Sequence, residues 1–480
     1  MFAANTVTNP IYNIDNMKKM NFMKGIFFAA VACLSLASCS DEPDKYEVAS
    51  GVPTIKYIRC TSSEIVGSTD TEETVYTTGQ LVTEASPQSV ICIVGENLRS
   101  ITGIRFNNLD AVLNSSYITD NTLLVQVPKS VPTEVSDKIY FTTKDGSEVT
   151  YDFHVIIPKP TVTSMVNEYA AAGADETLSG NYFIDDPNTP LTVAFCGPDN
   201  TTINAEITSI AEDFTSVSFK VPAGAVEGPI TVTSVYGTTE SKFYYKDTRG
   251  MLFDFDTANS VTGTVLDNHG WNGHNSTTDE TALSGNFFQF GDGAATQKGD
   301  NSTWDETYFS MVYWPGDSWS GVEDYATSPR LLDVADFSNY TNMALKFEIN
   351  IPASNPWKAG SMQICFAGVD QVTDGGGGVD IYGKTVAAAN NSYMTSNSNP
   401  RALYRPWTTT GSYDTNGQWV TVTLPISSSF IYGYDGSLST GQLTPETFSS
   451  LWIFVANGGI EGTDCTPIIK VDNLRVVPYK

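Results

Sequence analysis

From Gly51 onward, short segments in which apolar and polar residues alternate are separated by Gly, Asn, Asp and Pro turns. Almost no stretch places apolar residues at positions i, i+3, i+4 and i+7, which is the spacing of an amphipathic helix. Short alternating segments bounded by turn residues are typical of β-strands. The pattern therefore predicts an all-β chain.

Two stretches of the chain repeat one plan. Each contains a glycine–asparagine turn followed by several strands, one of which ends on Val-Pro, and the two prolines, Pro128 and Pro222, lie about 94 residues apart. That period suits a repeated β-sandwich of about 100 residues. The plan resembles immunoglobulin-like modules of the IPT/TIG type, and we assign the two copies to residues 51–157 and 158–248.

The last stretch, residues 249–480, opens on MetLeuPheAspPheAspThr (251–257) and closes on IleIleLysValAspAsnLeuArgValValPro (468–478). GlyGlnTrpValThrValThrLeuProIle (417–426) lies between them. These segments resemble strands of β-jelly-roll carbohydrate-binding modules, in which the first and last strands lie side by side. The resemblance implies a larger β-sandwich that binds carbohydrate.

The distribution of tryptophan supports two kinds of domain. A chain of 480 residues is longer than one hydrophobic core usually serves, so several domains are expected. All eight tryptophans lie after residue 250: Trp271, Trp304, Trp314, Trp319, Trp357, Trp407, Trp419 and Trp452. The tryptophan-free part fits modules that extend the chain, and the tryptophan-rich part fits a module that binds.

The charge balance argues against nucleic acid as a partner. The chain carries 54 acidic and 26 basic side chains, a formal net charge of −28. Such a surface repels a polyphosphate at long range. The hydrophobic content of 41% also argues against a disordered acidic protein, so most of the chain should fold.

The N-terminal residues 1–38 predict an export signal. Three lysines (Lys18, Lys19, Lys24) precede an apolar run over 26–36 that is too short to span a membrane. The following Leu36–Cys39 resembles the lipobox of bacterial lipoproteins, in which the cysteine is lipidated, here Cys39. The acidic linker over 39–50 is similar to the signal that places Bacteroidetes lipoproteins on the outside of the cell; a plain solvated linker is the alternative.

The remaining cysteines and histidines predict no metal site, no disulfide framework and no cofactor. Five cysteines follow Cys39 at wide spacing, without a Cys-x-x-Cys pair, and Cys92 and Cys365 lie within apolar strands, which predicts that they are buried. His269 and His274 match no strong metal template. The acidic residues Asp370, Asp374 and Asp380 leave a structural calcium ion open.

Exposed Trp and Tyr rings are the candidate chemistry of the last domain, because sugar C–H groups pack on flat aromatic faces. In the segment 308–314, alternation places Phe309, Met311 and Tyr313 on one face and the residues between them on the other. The strand must break at Pro315. We therefore expect the strand end to deliver Tyr313, Trp314 and Trp319 to a binding edge.

Two further loops add candidate rings. Trp271 lies in a glycine-flanked loop that offers a tryptophan no structural role. Tyr404 and Trp407 lie in a second loop, together with Arg401 and Arg405. The guanidinium groups of these two arginines have the geometry to bind vicinal hydroxyls. Trp452 lies in a strand that is apolar on both faces and is predicted to be structural; the resemblance to carbohydrate-binding modules implies a structural role for Trp419, and Trp357 fits either role. No paired carboxylates with a glycosidase motif are recognisable.

The whole order of segments resembles the surface glycan-binding proteins of Bacteroidetes polysaccharide-utilisation systems. In that family a Tyr-Trp pair carries part of the aromatic platform, which Tyr313-Trp314 would match here, with Trp271 as the upstream ring. The resemblance implies a non-catalytic outer-membrane lipoprotein that binds xyloglucan or a related β-glucan beside a TonB-dependent transporter and a surface endo-glycanase. A surface glycoside hydrolase or lyase and an adhesin remain the alternatives.

Overall fold

The computed structural model describes residues 46–62, 64–69, 72–132, 134–256, 276–313, 329–368 and 395–479. These residues form three hydrophobic cores, one in each predicted domain. The described residues up to Ile156 form one compact unit, and those from Ile157 onward form a second. The all-β prediction is confirmed: among the described residues one α-helix of four residues occurs, and no helix is long and apolar enough to cross a bilayer.

The first unit is an immunoglobulin-like β-sandwich. Its strands are β1 (Thr54–Cys60), β2 (Glu64–Thr69), β3 (Glu72–Tyr76), β4 (Glu84–Ala85), β5 (Val90–Glu96), β6 (Ile101–Phe106), β7 (Leu109–Ala111), β8 (Thr122–Gln126), β9 (Lys138–Thr143), β10 (Glu148–Asp152) and β11 (His154–Val155). The sheets β1-β5-β8 and β10-β9-β6-β7 enclose a core to which both contribute, for example Ile93 and Phe141. Cys92 is buried, as predicted.

The middle domain, which begins the second unit, repeats this plan. Its strands are β12 (Thr161–Met165), β13 (Asp175–Asn181), β14 (Thr192–Cys196), β15 (Thr202–Asn204), β16 (Glu206–Ile210), β17 (Ser216–Lys220), β18 (Gly228–Ser234) and β19 (Gly237–Tyr245). They form the sheets β12-β13-β17-β16 and β15-β14-β18-β19. Phe195 and Phe219, from one sheet each, meet in the core at 5.7 Å between ring centroids.

The two sequence signatures of the repeat have the same structural cause in both copies. A Cβ atom on Gly95 would lie 2.1 Å from the Thr54 carbonyl oxygen, and one on Gly180 would lie 1.8 Å from that of Thr161. Only glycine permits this approach of the first strand. The valine of each Val-Pro also continues a strand ladder, since Val127 N–H donates to Ser89 O and Val221 N–H donates to Ala174 O, both at 2.9 Å.

The C-terminal domain is the larger β-sandwich. Its elements are β20 (Met251–Phe253), β21 (Phe288–Phe290), β22 (Ser310–Tyr313), β23 (Met343–Asn350), β24 (Ser361–Ala367), β25 (Arg401–Tyr404), β26 (Trp419–Pro425), α1 (Ile426–Ser429), β27 (Ser450–Ala456) and β28 (Ile469–Pro478). A five-stranded sheet has the order β20-β28-β23-β26 with β21 also on β28, and a four-stranded sheet has the order β22-β27-β24-β25. The first strand, β20, pairs with the last, β28, as predicted.

Short 3-10 helices connect several of these strands. They are Leu98–Ser100, Ser115–Tyr117, Pro198–Asn200, Leu331–Asp333, Tyr340–Asn342, Pro406–Thr409 and Pro445–Thr447. The helix Pro406–Thr409 follows β25 directly and begins with proline, whose fixed φ suits a first helical position. It turns the chain back toward the core immediately after Tyr404.

The outer face of the five-stranded sheet is charged and is covered by the middle domain. Alternation along β23 sends Leu345, Phe347 and Ile349 into the core and leaves Lys346 and Glu348 on the outer face. Both charged residues are nevertheless buried. Burying charges costs several kcal/mol unless they are paired, so this face requires partners.

Glu168 of the middle domain supplies them. Its carboxylate accepts hydrogen bonds from Lys346 Nζ at 2.5 Å and from Arg475 Nη2 at 2.8 Å, while Arg475 also pairs with Glu348 at 2.9 Å. Burial lowers the pKa of Lys346 and raises that of Glu348. For Arg475 burial opposes the charge, but the carboxylates of Glu348 and Glu168 outweigh it and raise the pKa. The middle domain is thus built into the same compact unit as the C-terminal sandwich.

Candidate functional site

The outer face of the four-stranded sheet carries aromatic rings in place of charges. Along β27, Leu451, Ile453 and Val455 point into the core, so Trp452 and Phe454 lie on the outer face. Their rings are nearly parallel, with 16° between planes and 6.0 Å between centroids. The prediction that Trp452 is buried is confirmed at 2% exposure, although the ring lies outside the sandwich core.

Trp304 adds a third ring to this row. It lies outside the strands, and its indole stacks on Phe454 with 4.7 Å between centroids and 17° between planes. Exposure rises from 2% at Trp452 and 6% at Phe454 to 36% at Trp304. One face of the Trp304 indole rests on Phe454, and the remaining surface of the ring is in part exposed to solvent. We call Trp304, Phe454 and Trp452 the aromatic row.

The loop that holds Trp304 is fixed by acidic side chains. The indole N–H of Trp304 donates to Glu306 Oε1 at 2.7 Å. The carboxylate of Asp305 accepts the backbone N–H groups of Thr307 and Tyr308 at 2.9 and 3.1 Å, which closes a tight turn after the tryptophan. The orientation of the exposed indole is therefore set before any ligand arrives.

Tyr434 and two polar residues border the row. The Tyr434 ring meets Trp304 edge to face, at 6.1 Å between centroids, and burial raises the pKa of its hydroxyl, which stays neutral. Arg401 Nη1 donates to Gln363 Oε1 at 3.0 Å, and Gln363 Nε2 donates to the Tyr434 carbonyl oxygen at 3.1 Å. These bonds hold the Tyr434 loop against the sheet.

The interpretation of Arg401 as a hydroxyl-binding fork is wrong in the described structure. Arg401 is 3% exposed, and its Nη2 donates to the Ser396 carbonyl oxygen at 2.9 Å. Arg405 donates to the carbonyl oxygen of Gly458. The Arg401 guanidinium is thus engaged by the protein itself, while Arg405 is only partly buried and its proposed contact with hydroxyls stays a prediction.

Three of the predicted ring contacts lie on the core side. Tyr313 is 1% exposed, donates its hydroxyl to Pro329 O at 2.6 Å and packs against Phe253, as its alternation with Phe309 and Met311 requires. Its expected delivery to a binding edge is therefore wrong, because the hydroxyl and ring are both used inside the sandwich.

Trp407 and Tyr404 also need correction. Trp407 is 3% exposed and donates its indole N–H to Gly360 O at 2.7 Å, since the helix Pro406–Thr409 turns it inward. Tyr404 is half-buried between Phe347 and Trp357, and burial raises the pKa of its hydroxyl. Neither ring faces the side of the sheet that bears the aromatic row.

The other predicted residues, Trp271, Trp314, Trp319 and Cys39, lie outside the described residues, as do the signal peptide and the candidate metal ligands His269, His274, Asp370, Asp374 and Asp380. Trp357 and Trp419 are both buried in structural positions. In the part of the chain that the structure describes, no group of three or more His, Cys, Asp or Glu residues is placed to hold a metal ion.

Sequence reasoning missed Trp304, although a signal for it exists. The ring stands between Thr303 and the acidic pair Asp305 and Glu306, a polar context that offers no strand face to bury it. A flat aromatic ring that no strand face buries can serve as a stacking surface for sugars. The same argument favours Trp271 and applies equally to position 304.

The arrangement suits adhesion to a flat apolar face better than acid–base chemistry. The exposed indole of Trp304, held on Phe454, offers stacking area at little entropic cost. Among the described residues, the carboxyl groups whose pKa is raised are Glu176 in the middle domain and Glu348 and Asp472 on the charged face.

Comparisons with known proteins indicate the family of this chain. A family model described as the xyloglucan-binding domain of surface glycan-binding protein B matches residues 245–478. The crystal structure of surface glycan-binding protein PbSGBP-B from Prevotella bryantii is 44% identical and covers 90% of this chain and 100% of its own, with a TM-score of 0.73.

A curated relative matches a shorter part of the chain. An IPT/TIG domain-containing protein of Bacteroides ovatus is 25% identical over 157 residues, which amount to 31% of this chain. The chain matches only 28% of that relative's length. The likeness agrees with the immunoglobulin-like modules predicted from the repeated turn and Val-Pro signatures.

Proposed function

Because this chain belongs to the surface glycan-binding protein B family, we propose that it is a non-catalytic surface lipoprotein that binds a β-glucan, such as xyloglucan or mixed-linkage glucan. In this role it holds the polysaccharide for degradation and import. The observation that carries the proposal is the aromatic row, in which an exposed Trp304 stacks on Phe454 on the outer face of the four-stranded sheet.

The chemistry of the row fits an uncharged polymer. Glucan rings present C–H groups that pack on an indole face, and the exposed surface of Trp304 offers such a face. Trp314, which the sequence pattern places next to Tyr313, stays a candidate. We keep Trp314, Trp271 and Trp319 as proposed ring contacts beside Trp304.

The proposed setting is the outer membrane. Cys39 is the proposed lipidation site, and the acidic linker over 39–50 is the proposed signal for display on the outside of the cell. A TonB-dependent transporter and a surface endo-glycanase are the proposed partners of the bound polysaccharide. With a net charge of −28, the protein gains no membrane affinity from basic residues, so an acyl chain would have to hold it.

Affinity electrophoresis of residues 40–480 in gels that contain xyloglucan, mixed-linkage glucan, xylan or mannan tests the proposal. We expect a β-glucan to retard the protein and Trp304→Ala to abolish most of the retardation. Trp271→Ala and Trp314→Ala test the two remaining rings. Tyr117→Ala, which removes an exposed ring from the first domain, is the matched control and should migrate like the unmodified chain.

Each other outcome supports a different function. Release of reducing sugar that survives repurification would make the protein a glycoside hydrolase or lyase. Absence of retardation by every glycan would favour an adhesin. Normal retardation of Trp304→Ala would show that the aromatic row is not the site.

A further inference from the structure

A cleft lies within the second unit, at the border between the middle domain and the C-terminal sandwich. Its volume is about 570 Å3, which is in the size range of small-molecule sites. The middle domain contributes strands β12 and β19, and the C-terminal domain contributes β23, β26 and the residues that end β28. None of the three rings of the aromatic row lines this cleft.

The walls of this cleft are fixed by the docking of the two domains. The backbone N–H of Glu168 donates to Thr421 Oγ1 at 2.8 Å, and the N–H of Thr421 donates to Val166 O at 2.7 Å. The buried pair between Glu168 and Lys346 lies beside these bonds. A ligand would therefore meet a preformed cleft and would not have to pay for ordering it.

The charge of the lining is opposite to that of the protein. Two lysines, Lys242 and Lys346, line the cleft, and no Asp or Glu is among the described residues that do so. Over the whole chain acidic residues outnumber basic ones by 54 to 26. Lys346 is already paired with Glu168 and lies 5.1 Å from the Phe243 ring centroid. Lys242 is exposed and forms no ion pair with the residues that the structure describes, so it is the cation offered to a ligand.

The rest of the lining suits a sugar. Tyr479 is 40% exposed and offers an aromatic face, while Ser164 and Thr423 offer hydroxyl groups. An aromatic face, hydroxyls and one ammonium group match a saccharide that carries a carboxylate.

We propose that the cleft between the middle and C-terminal domains is a second glycan site, which binds an oligosaccharide bearing a uronic acid. The uronate carboxylate pairs with Lys242, and the sugar ring packs on Tyr479. This site goes beyond the proposed β-glucan function and does not depend on the aromatic row.

Isothermal titration calorimetry of residues 40–480 tests the proposal, with a glucuronate-containing disaccharide, its glucose counterpart and sodium acetate as three separate probes in 50 mM salt. We expect the acidic disaccharide to bind at least about 5-fold more tightly than either other probe. Lys242→Gln should remove that preference, and Tyr479→Ala should weaken the acidic disaccharide about 3-fold or more, as expected for a charge-assisted hydrogen bond and a stacking contact.

Two matched variants separate the site from other causes. Lys129→Gln removes one exposed positive charge in the first domain and should leave binding of the acidic disaccharide unchanged. Trp304→Ala should do the same while it loses β-glucan binding, so failure of either function is visible separately. The proposal is overturned if the acidic disaccharide does not bind, if the glucose counterpart binds equally well, or if Lys242→Gln and Tyr479→Ala bind like the unmodified chain.

Discussion

The two outer faces of the C-terminal sandwich have opposite chemistry. The five-stranded sheet presents Lys346, Glu348 and Arg475, all buried under the middle domain. The four-stranded sheet presents Trp452 and Phe454, with the exposed Trp304 stacked above them. The strands of both sheets alternate in the same way, so alternation alone does not decide what each face is for.

The difference lies in what each face needs from its surroundings. Buried charges are tolerated only with partners, and Glu168 supplies them permanently from the same chain. Aromatic rings need no such compensation and gain from further contact with an apolar face. One face therefore fixes a neighbouring domain, and the other leaves the exposed part of Trp304 available to a ligand.

Loss of Glu168 should give the largest effect. In Glu168→Ala, Lys346 loses its carboxylate partner and Arg475 keeps only Glu348. We expect the free energy of unfolding of the second unit to fall by about 3–5 kcal/mol, the usual cost of breaking a buried ion pair. Urea denaturation monitored by tryptophan fluorescence measures it, because all tryptophans lie in this unit.

Asp175→Ala is the matched control in the same domain. Asp175 pairs with Lys220 on the surface at 2.7 Å, and its side chain is largely exposed. Exposed pairs contribute about 0–1 kcal/mol. Equal losses in the two variants would mean that the charged face is not held by Glu168.

Trp304→Ala should affect binding and leave folding intact. We expect a 10- to 100-fold loss of β-glucan affinity, or about 1.4–2.8 kcal/mol, with a midpoint of unfolding close to that of the unmodified chain because the ring is partly exposed. Calorimetry with a β-glucan oligosaccharide and urea denaturation provide the two readouts. A loss of stability without a loss of affinity would assign Trp304 to packing.

Asp472 tests the charged face through pH. It lies opposite Glu348 on the neighbouring strand of the sheet. Burial, together with the charge of Glu348, raises the pKa of Asp472 to about 9. The folded state therefore holds a proton that the unfolded state has lost above about pH 4, and stability from this group falls as pH rises from about 4 to 9.

Asp472→Asn removes this dependence and keeps the carbonyl oxygen that accepts the Asn473 N–H at 2.8 Å. We expect the variant to gain more stability over the unmodified chain at pH 8 than at pH 5, because each pH unit between about 4 and 9 costs the unmodified chain up to about 1.4 kcal/mol. Thermal unfolding at both pH values measures the difference. A gain of the same size at pH 5 would contradict the assigned titration.

Glu306→Gln should give the smallest effect. The amide oxygen still accepts the Trp304 indole N–H, but the bond loses its charge. We expect a 2- to 3-fold loss of β-glucan affinity, or about 0.4–0.7 kcal/mol, and Glu306→Ala should lose more. Calorimetry compares the series, and equal affinity of Glu306→Ala and the unmodified chain would show that this bond does not position the ring.

The sequence predicts which face of a strand a residue occupies better than it predicts what packs against that face. Alternation correctly placed Phe309 and Met311 opposite Ser310 and Val312, because strand geometry fixes it locally. It could not show that Glu168 neutralises Lys346, which lies more than a hundred residues away in sequence. That pairing depends on how the two domains dock.

Loops were predicted least well. A tryptophan in a loop was expected to be exposed, yet Trp407 is buried because a short helix after β25 turns it toward Gly360. Trp304 is also in a loop and is exposed because the Asp305 turn and Glu306 hold it outward. Both outcomes depend on hydrogen bonds that sequence spacing alone does not specify.

The most direct test of the aromatic row as the glycan site is residue-level protection. Hydroxyl-radical footprinting of residues 40–480, read by mass spectrometry, compares the oxidation rate of Trp304 with and without a saturating β-glucan oligosaccharide. We predict that the oligosaccharide slows oxidation of Trp304 several-fold and leaves Tyr117 in the first domain unchanged. An unchanged oxidation rate at Trp304 under saturation would contradict the account.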